Sequence, residues 1–446
     1  MRLTELEIKN FRSFEQRSFR FHPEFNLIIG ENASGKTTVL EAAAVAVGSW
    51  LLGFNGPTSR NIRESDVRYV LDKVETRARR LPQYPVEIIA AGDVDHIEAP
   101  LTEHLRWRRE LKGPKRKTTQ TDTENLQSAA RRYERALMMG ERPTLPVVRY
   151  FSAGRLWEPE KRVTSGRSTD TDYRDVVDKY LDSLRSPLVG YESSMDPGNS
   201  SKKLVWWMVE ERRIELDEGR ESAFLQAVYG AIHSMMPELA SVAVNLSLKD
   251  LVLQYAEGRS VAFSDLSDGY RNVVAMVADL AIKIVMLNPH LGAEALAKTD
   301  GVVMIDELDL HLHPKWQRRI VDDLRRTFPN VQFICTTHSP FIVQSLRSGE
   351  ELIVLDGQAI PDVANLSIQE VAEGLMGVDD SGVSRRYGEM KDTARELLEE
   401  IEENRPIPKE SFGEFKAKLA EATAPYADNP AYQAFLEMQL AAGKYE

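Results

Sequence analysis

The eight residues Gly30-Glu31-Asn32-Ala33-Ser34-Gly35-Lys36-Thr37 constrain this chain more than any other segment. They satisfy G-x-x-x-x-G-K-[ST] in the one context where that spacing has a mechanism. An almost wholly apolar run, Phe25 to Ile29, precedes them and reads as a strand buried on both faces. A stretch rich in Ala, Val and Leu, Thr38 to Val47, follows and reads as a helix. A strand that turns through a glycine-bearing loop into a helix leaves backbone N–H groups free to surround an anion, and the helix start adds partial positive charge. Gly30, Asn32, Ala33, Ser34, Gly35 and Thr38 are the expected cradle for a β-phosphate. Lys36 would reach the β- and γ-oxygens, and Thr37 would place its hydroxyl on Mg²⁺. The expected ligands are a nucleoside triphosphate, read as ATP, with Mg²⁺.

Three later segments narrow the chemistry. Val302 to Ile305 is an apolar strand that ends in Asp306 and Glu307. Asp306 is placed to hold the magnesium shell, and Glu307 to polarise an attacking water as general base. After a further strand, Val331–Cys335, comes Thr336-Thr337-His338-Ser339-Pro340. There His338 sits at the C-terminal edge of a parallel sheet, where such folds bind ligands. The third segment, Leu266-Ser267-Asp268-Gly269-Tyr270, opens a long amphipathic helix, so Ser267 and Gly269 present a hydroxyl and bare backbone at a second helix N-terminus. Two phosphate-binding helix ends in one chain imply two chains facing each other, each capping the other's nucleotide.

Strands alternate with helices in the second half, so the fold class is α/β with a largely parallel sheet. Pro85 to Leu111 breaks into short β-like runs around Gly92-Asp93 and reads as an antiparallel meander. A helix carrying Trp316, Ile320 and Leu324 on one face should begin at Pro314, and Tyr173–Leu184 and Lys203–Ile214 should be helical. The single cysteine, Cys335, excludes an intramolecular disulfide and a cysteine zinc cluster. No apolar stretch is long enough to span a bilayer, so the expected setting is the cytoplasm.

The order Gly30–Thr37, Leu266–Tyr270, Val302–Glu307, His338, with the opening Ile8-Lys9-Asn10-Phe11-Arg12-Ser13-Phe14, resembles the ABC-type ATPase heads of the RecF, SMC and overcoming-lysogenisation-defect proteins. Leu266-Ser267-Asp268-Gly269 stands where those heads have the signature Leu-Ser-Gly-Gly. The layout is most similar to the PtuA ATPases of Septu and some retron anti-phage systems. The resemblance implies an ABC-type P-loop head in two lobes, 1–157 and 241–360, split by a mostly helical insertion at 158–240 and followed by a helical C-terminal region, 361–446. It further implies ATP hydrolysis at composite sites in a homodimer or higher oligomer, with Ser267 and Gly269 acting in trans. It implies regulation of a separate HNH nuclease subunit, with a reverse transcriptase and its nucleic acid as additional partners in a retron setting. The alternatives are a RecF-like repair ATPase acting directly on DNA, and a nucleotide-gated scaffold with negligible hydrolysis.

The remaining signals concern partners and coupling. Ser267 lies 231 positions after Lys36 (267 − 36), and the intervening stretch carries no sustained heptad pattern, against the long arms of an SMC protein. No Toprim or His-Asn-His nuclease pattern is present, and His311-x-His313 lacks an identifiable third metal ligand. The segment 106–117 reads as a basic loop at a meander tip, able to contact a phosphate backbone through Arg106, Arg108, Arg109, Lys112, Lys115, Arg116 and Lys117. The chain total of −12 argues against wholesale coating of nucleic acid. Gln83 is a poor glutamine-loop candidate, Glu64 and Asp66 are substitutes, and Arg155 is a further candidate for phosphate. An acidic stretch, Glu396–Glu403, and an apolar stripe at Tyr432, Phe435, Leu436 and Leu440 would dock on the chain itself or on a partner.

Overall fold

A five-residue strand with no polar face and a helix apolar on nearly every side must both be covered completely, and two sheets share that task. The computed structural model describes residues 1–74, 77–97, 101–154, 186–196, 201–356 and 363–378, with a few isolated helical positions beyond. The chain divides into the units Met1–Val371 and Ala372–Glu446, and the elements below belong to the first.

Strands β1 (Arg2–Phe11), β2 (Phe14–Arg20), β6 (Val86–Asp95) and β7 (Thr102–Leu111) form an antiparallel sheet in the order β2-β1-β6-β7. Between β2 and β6 lie β3 (Phe25–Ile29) and the separate hairpin β4 (Tyr69–Val74) and β5 (Arg77–Pro82). Strand β3 joins β8 (Val147–Phe151), β12 (Gly301–Ile305), β13 (Val331–Thr336) and β14 (Leu352–Val354) in a second sheet of order β14-β3-β13-β12-β8. Every pairing in it is parallel. All residues of β3, β8, β12 and β13 are buried, as strands covered on both faces must be. Helix α1 (Lys36–Val47) packs against β12 and β13 on one side and β1, β6 and β7 on the other, which explains why it carries no polar face.

A third, three-stranded antiparallel sheet, β9 (Leu239–Asn245), β10 (Asp250–Tyr255) and β11 (Ser260–Ala262), leads into the long helix that the signature segment opens. The main helices after α1 are α2 (Glu124–Met138), α3 (Ser201–Glu218), α4 (Ala223–Met235), α5 (Asp268–Leu287) and α6 (Ile320–Thr327). Helix α5 is fastened along its second half. Arg149 of β8, buried, bonds Asp279 at 2.8 Å and the carbonyls of Ser193 and Asp196 at 2.9 and 2.8 Å. The Lys283 ammonium donates to the carbonyls of Glu192 and Gly190 at 2.6 and 3.3 Å.

Three sequence expectations change here. The meander does not break at Gly92-Asp93, because β6 runs through both. Gly92 lies where β1 approaches so closely that a Cβ would sit 2.3 Å from the Arg2 carbonyl oxygen, so glycine permits the pairing instead of ending it. The helix expected from Pro314 is two pieces, Pro314–Gln317 and Ile320–Thr327, with Trp316, Ile320 and Leu324 all buried. The basic segment is not a loop over its first half, since Arg106 to Leu111 belong to β7. Arg155, Tyr173–Leu184, Glu396–Glu403 and the stripe from Tyr432 to Leu440 lie outside the described residues.

Candidate functional site

The phosphate loop leaves β3 and turns into α1 with Ala33 and Gly35 in the left-handed region, φ 69 and 103. At Gly35 a side chain is excluded twice over: by φ, and because a Cβ would stand 2.6 Å from the Phe14 ring. The turn joining β1 to β2 therefore buttresses the loop. Lys36 Nζ donates to the carbonyls of Gly30 and Glu31, both at 2.8 Å. Burial holds its ammonium below the ordinary lysine range, and Asp356, Asp306, Glu307 and Asp309 pull in the opposite direction. The Ser34 Oγ is buried in the loop with no protein partner.

Strand β12, separated from β3 by β13 alone, delivers the two acids. Asp306 is buried and accepts from Thr37 Oγ1 at 2.9 Å, joining residues 269 positions apart. Thr336, at the end of β13, donates its hydroxyl to Asp306 Oδ1 at 2.6 Å and accepts the Glu307 N–H at 2.7 Å. One hydroxyl thus orients both acids. Glu307 is half-buried with φ 49, a backbone state that few non-glycine residues adopt. The parallel register Ile305↔Cys335 brings Thr336 alongside Asp306.

His338 is exposed, and its backbone N–H donates to Asp309 Oδ1 at 3.2 Å. The same oxygen accepts from Thr337 Oγ1 at 2.6 Å. Asp309 and Thr336 were not singled out by the sequence reading. Their signals were present: a third acid two residues beyond Glu307, and a hydroxyl two residues before His338.

Ser267 is the N-cap residue of α5, exposed and making no side-chain capping bond. Gly269 lies against the His311 carbonyl oxygen, 2.3 Å from where a Cβ would be. Asn272 donates to the Leu310 carbonyl at 3.1 Å, and the Tyr270 and Trp316 rings meet edge-to-face at 5.3 Å. Within one chain, then, the signature packs on the segment that follows the Asp306–Glu307 pair. No hydrogen bond joins Ser267 or Gly269 to the phosphate loop among the described residues.

Several candidates fall away. Arg109 is fully buried, with its guanidinium on Asn61 at 2.7 Å and on Ser59 and Ser49, and burial pushes it down to about 10. It cannot meet DNA. Arg108 is paired with Glu87 and Asp122, and Trp107 is buried with its indole on the Ala46 carbonyl. The exposed cations left are Arg106, Lys112, Lys115, Arg116 and Lys117. Asp66 is buried under Arg12 and caps the Arg63 N–H, and Glu64 accepts the Lys115 N–H. Gln83 bonds the Leu81 carbonyl, so none of the three is held at the phosphate loop. His313 accepts the Lys315 N–H as a helix cap, and no cluster of metal-binding residues occurs among the described residues.

Thr37 with Asp306 is a hydroxyl–carboxylate pair suited to Mg²⁺, which takes one or two protein oxygens and completes its shell with water and phosphate. The unpartnered Ser34 Oγ and the loop N–H groups fit phosphate oxygens. No helix among the described residues is long and apolar enough to cross a membrane.

The model of the RecF/RecN/SMC N terminal domain matches residues 2–355. The retron Vc95 probable ATPase of Vibrio cholerae serotype O1 biovar El Tor is 26% identical over 392 residues, 79% of this chain and 73% of its own length. The retron Ec83 probable ATPase of Escherichia coli is 23% identical over 411 residues, 80% and 72% of the two chains. A Septu protein PtuA from Bacillus mycoides (strain KBAB4) is 43% identical over 94 residues, 21% of this chain and 12% of that protein.

Proposed function

This chain belongs to the RecF/RecN/SMC family, and on that premise we propose that it binds ATP between two copies of its head and hydrolyses it. The observation that carries the reading is the meeting of Lys36 and Thr37 with Asp306, Glu307 and Thr336, three chain segments with no local reason to converge. Lys36 and the loop N–H groups neutralise and orient the β- and γ-phosphates. Mg²⁺, held through Thr37 and Asp306, would withdraw charge from the transferring phosphoryl group. Glu307 takes a proton from water as its oxygen bonds to the γ-phosphorus and the bond to the β-bridging oxygen breaks, releasing ADP and phosphate. His338 faces the γ-phosphate, and Ser267 with Gly269 closes the site from the second chain.

The retron and Septu relatives support a role in anti-phage defence, with the nucleotide state governing a separate HNH nuclease and, in a retron, a reverse transcriptase with its nucleic acid. A RecF-like chain acting alone on DNA is less well served. Of the seven cations that would grip phosphate, Arg109 is sealed inside and Arg108 is neutralised by two acids. Lys36→Ala tests the core reading: it should abolish equilibrium binding of labelled ATP, and undiminished binding would refute it.

A further inference from the structure

A second carboxylate, besides Asp306, bonds the phosphate loop. Strand β14 pairs with β3 in the register Val354↔Ile29, and the Leu355 N–H extends that ladder to the Ile29 carbonyl at 3.0 Å. The next side chain, Asp356, is thereby delivered to the loop entrance. Its Oδ2 accepts the Glu31 N–H at 2.8 Å and lies 3.0 Å from where a Gly30 Cβ would stand. The Asp356 carboxylate is also one of four acids, with Asp306, Glu307 and Asp309, that act on the Lys36 ammonium. The site just described gives it no part: it is neither the acid paired with Thr37 nor the one beside the attacking water.

We propose that Asp356 is a positioning residue that sets how tightly the phosphate loop holds ATP, by fixing the loop entrance while opposing the charge of the incoming triphosphate. The two effects come from the same oxygen and act in opposite senses. As an acceptor, it orders Glu31 and hence the turn that shapes the loop. As an anion, it competes with the γ-phosphate for Lys36, whose ammonium rests on the Gly30 and Glu31 carbonyls in the same part of the loop. A further negative charge at a triphosphate site lowers affinity and makes it depend on salt.

This inference rests on the ATP reading, and its test separates the two. ATP and ADP binding are titrated for the full chain, wild type, Asp356→Asn and Asp356→Ala, at low and high salt, with thermal melts as a check on folding. Asn keeps an oxygen for the Glu31 N–H and removes the charge. It should bind ATP about three- to tenfold tighter at low salt, gain less for ADP, and lose most of the gain at high salt. Ala, which removes the acceptor as well, should gain less than Asn. An Asn variant that binds no tighter than wild type, or gains equally at both salt concentrations, overturns the proposal. A wild type that binds no ATP would instead refute the function on which it rests.

Discussion

Replacing Thr336 by valine asks whether one hydroxyl holds the hydrolytic acids in place. Valine has nearly the same shape, so β13 keeps its packing while two bonds vanish: the 2.6 Å donation to Asp306 and the 2.7 Å acceptance from the Glu307 N–H. A hydrogen bond to an ionised partner contributes about 1.5–3 kcal/mol, and an orphaned backbone donor costs about 1–3 kcal/mol. The two terms share one atom and do not add in full. Glu307 is held at φ 49, and loss of its anchor favours an ordinary backbone conformation that carries the carboxylate off line. Taking about 2 kcal/mol as the part felt in the transition state, kcat should fall about thirtyfold. The KM for ATP should change by less than about threefold, because Lys36 and its two carbonyl partners make no bond to Thr336. The assay is steady-state phosphate release with saturating Mg²⁺ and ATP, with Thr336→Ser as control, since serine restores the hydroxyl. A valine variant that keeps at least half the wild-type kcat, or a serine variant as impaired as valine, would refute the argument.

Two further predictions follow from other parts of the head. Glu307→Gln with ATP should accumulate dimers or larger species in light scattering, and adding Ser267→Arg should return them to monomers, because the proposed composite site sets this exposed residue against a second chain; normal hydrolysis by Ser267→Arg alone would remove the in-trans role. Burial pushes Lys283 down to about 8 from its ordinary 10.5, so the folded chain sheds this proton before the unfolded one. Its cost to stability is full below pH 8 and relieved as pH rises towards 10.5. The stability of wild type relative to Lys283→Met should therefore improve by up to about 3 kcal/mol across that window in denaturant titrations, and a flat difference would contradict it.

What could be read from the sequence was whatever repeats a local rule. Phe25–Ile29 matches β3 residue for residue, since an unbroken apolar run before a glycine loop has few other meanings. The convergence of Thr37 with Asp306 followed from motif order. Side-chain partnerships across elements did not. Arg109 looks like its neighbours in a run of cations, yet the two-residue period of β7 turns it inward onto Asn61 while Arg108 turns outward. The β4–β5 hairpin, with alternation masked by charges, and the β9–β11 sheet gave no periodicity strong enough to stand out. Asp356 was visible only as Asp356-Gly357 after a strand, and its place at the phosphate loop depends on the pairing of β14 with β3.

The interleaving of the parallel sheet also bears on how the molecule comes into being. Strand β3 lies between β13 and β14, and the phosphate loop meets its acid 269 residues later in the chain. At about 5–20 residues per second on a ribosome, roughly 15–50 s separate synthesis of Thr37 from synthesis of Asp306. Through that interval β3 has neither neighbour, so the nascent chain holds an apolar strand and a half-built loop with nothing to pair against. The head cannot close lobe by lobe. ATP can stabilise only a nearly finished chain, which makes nucleotide capture a late and global event in its folding.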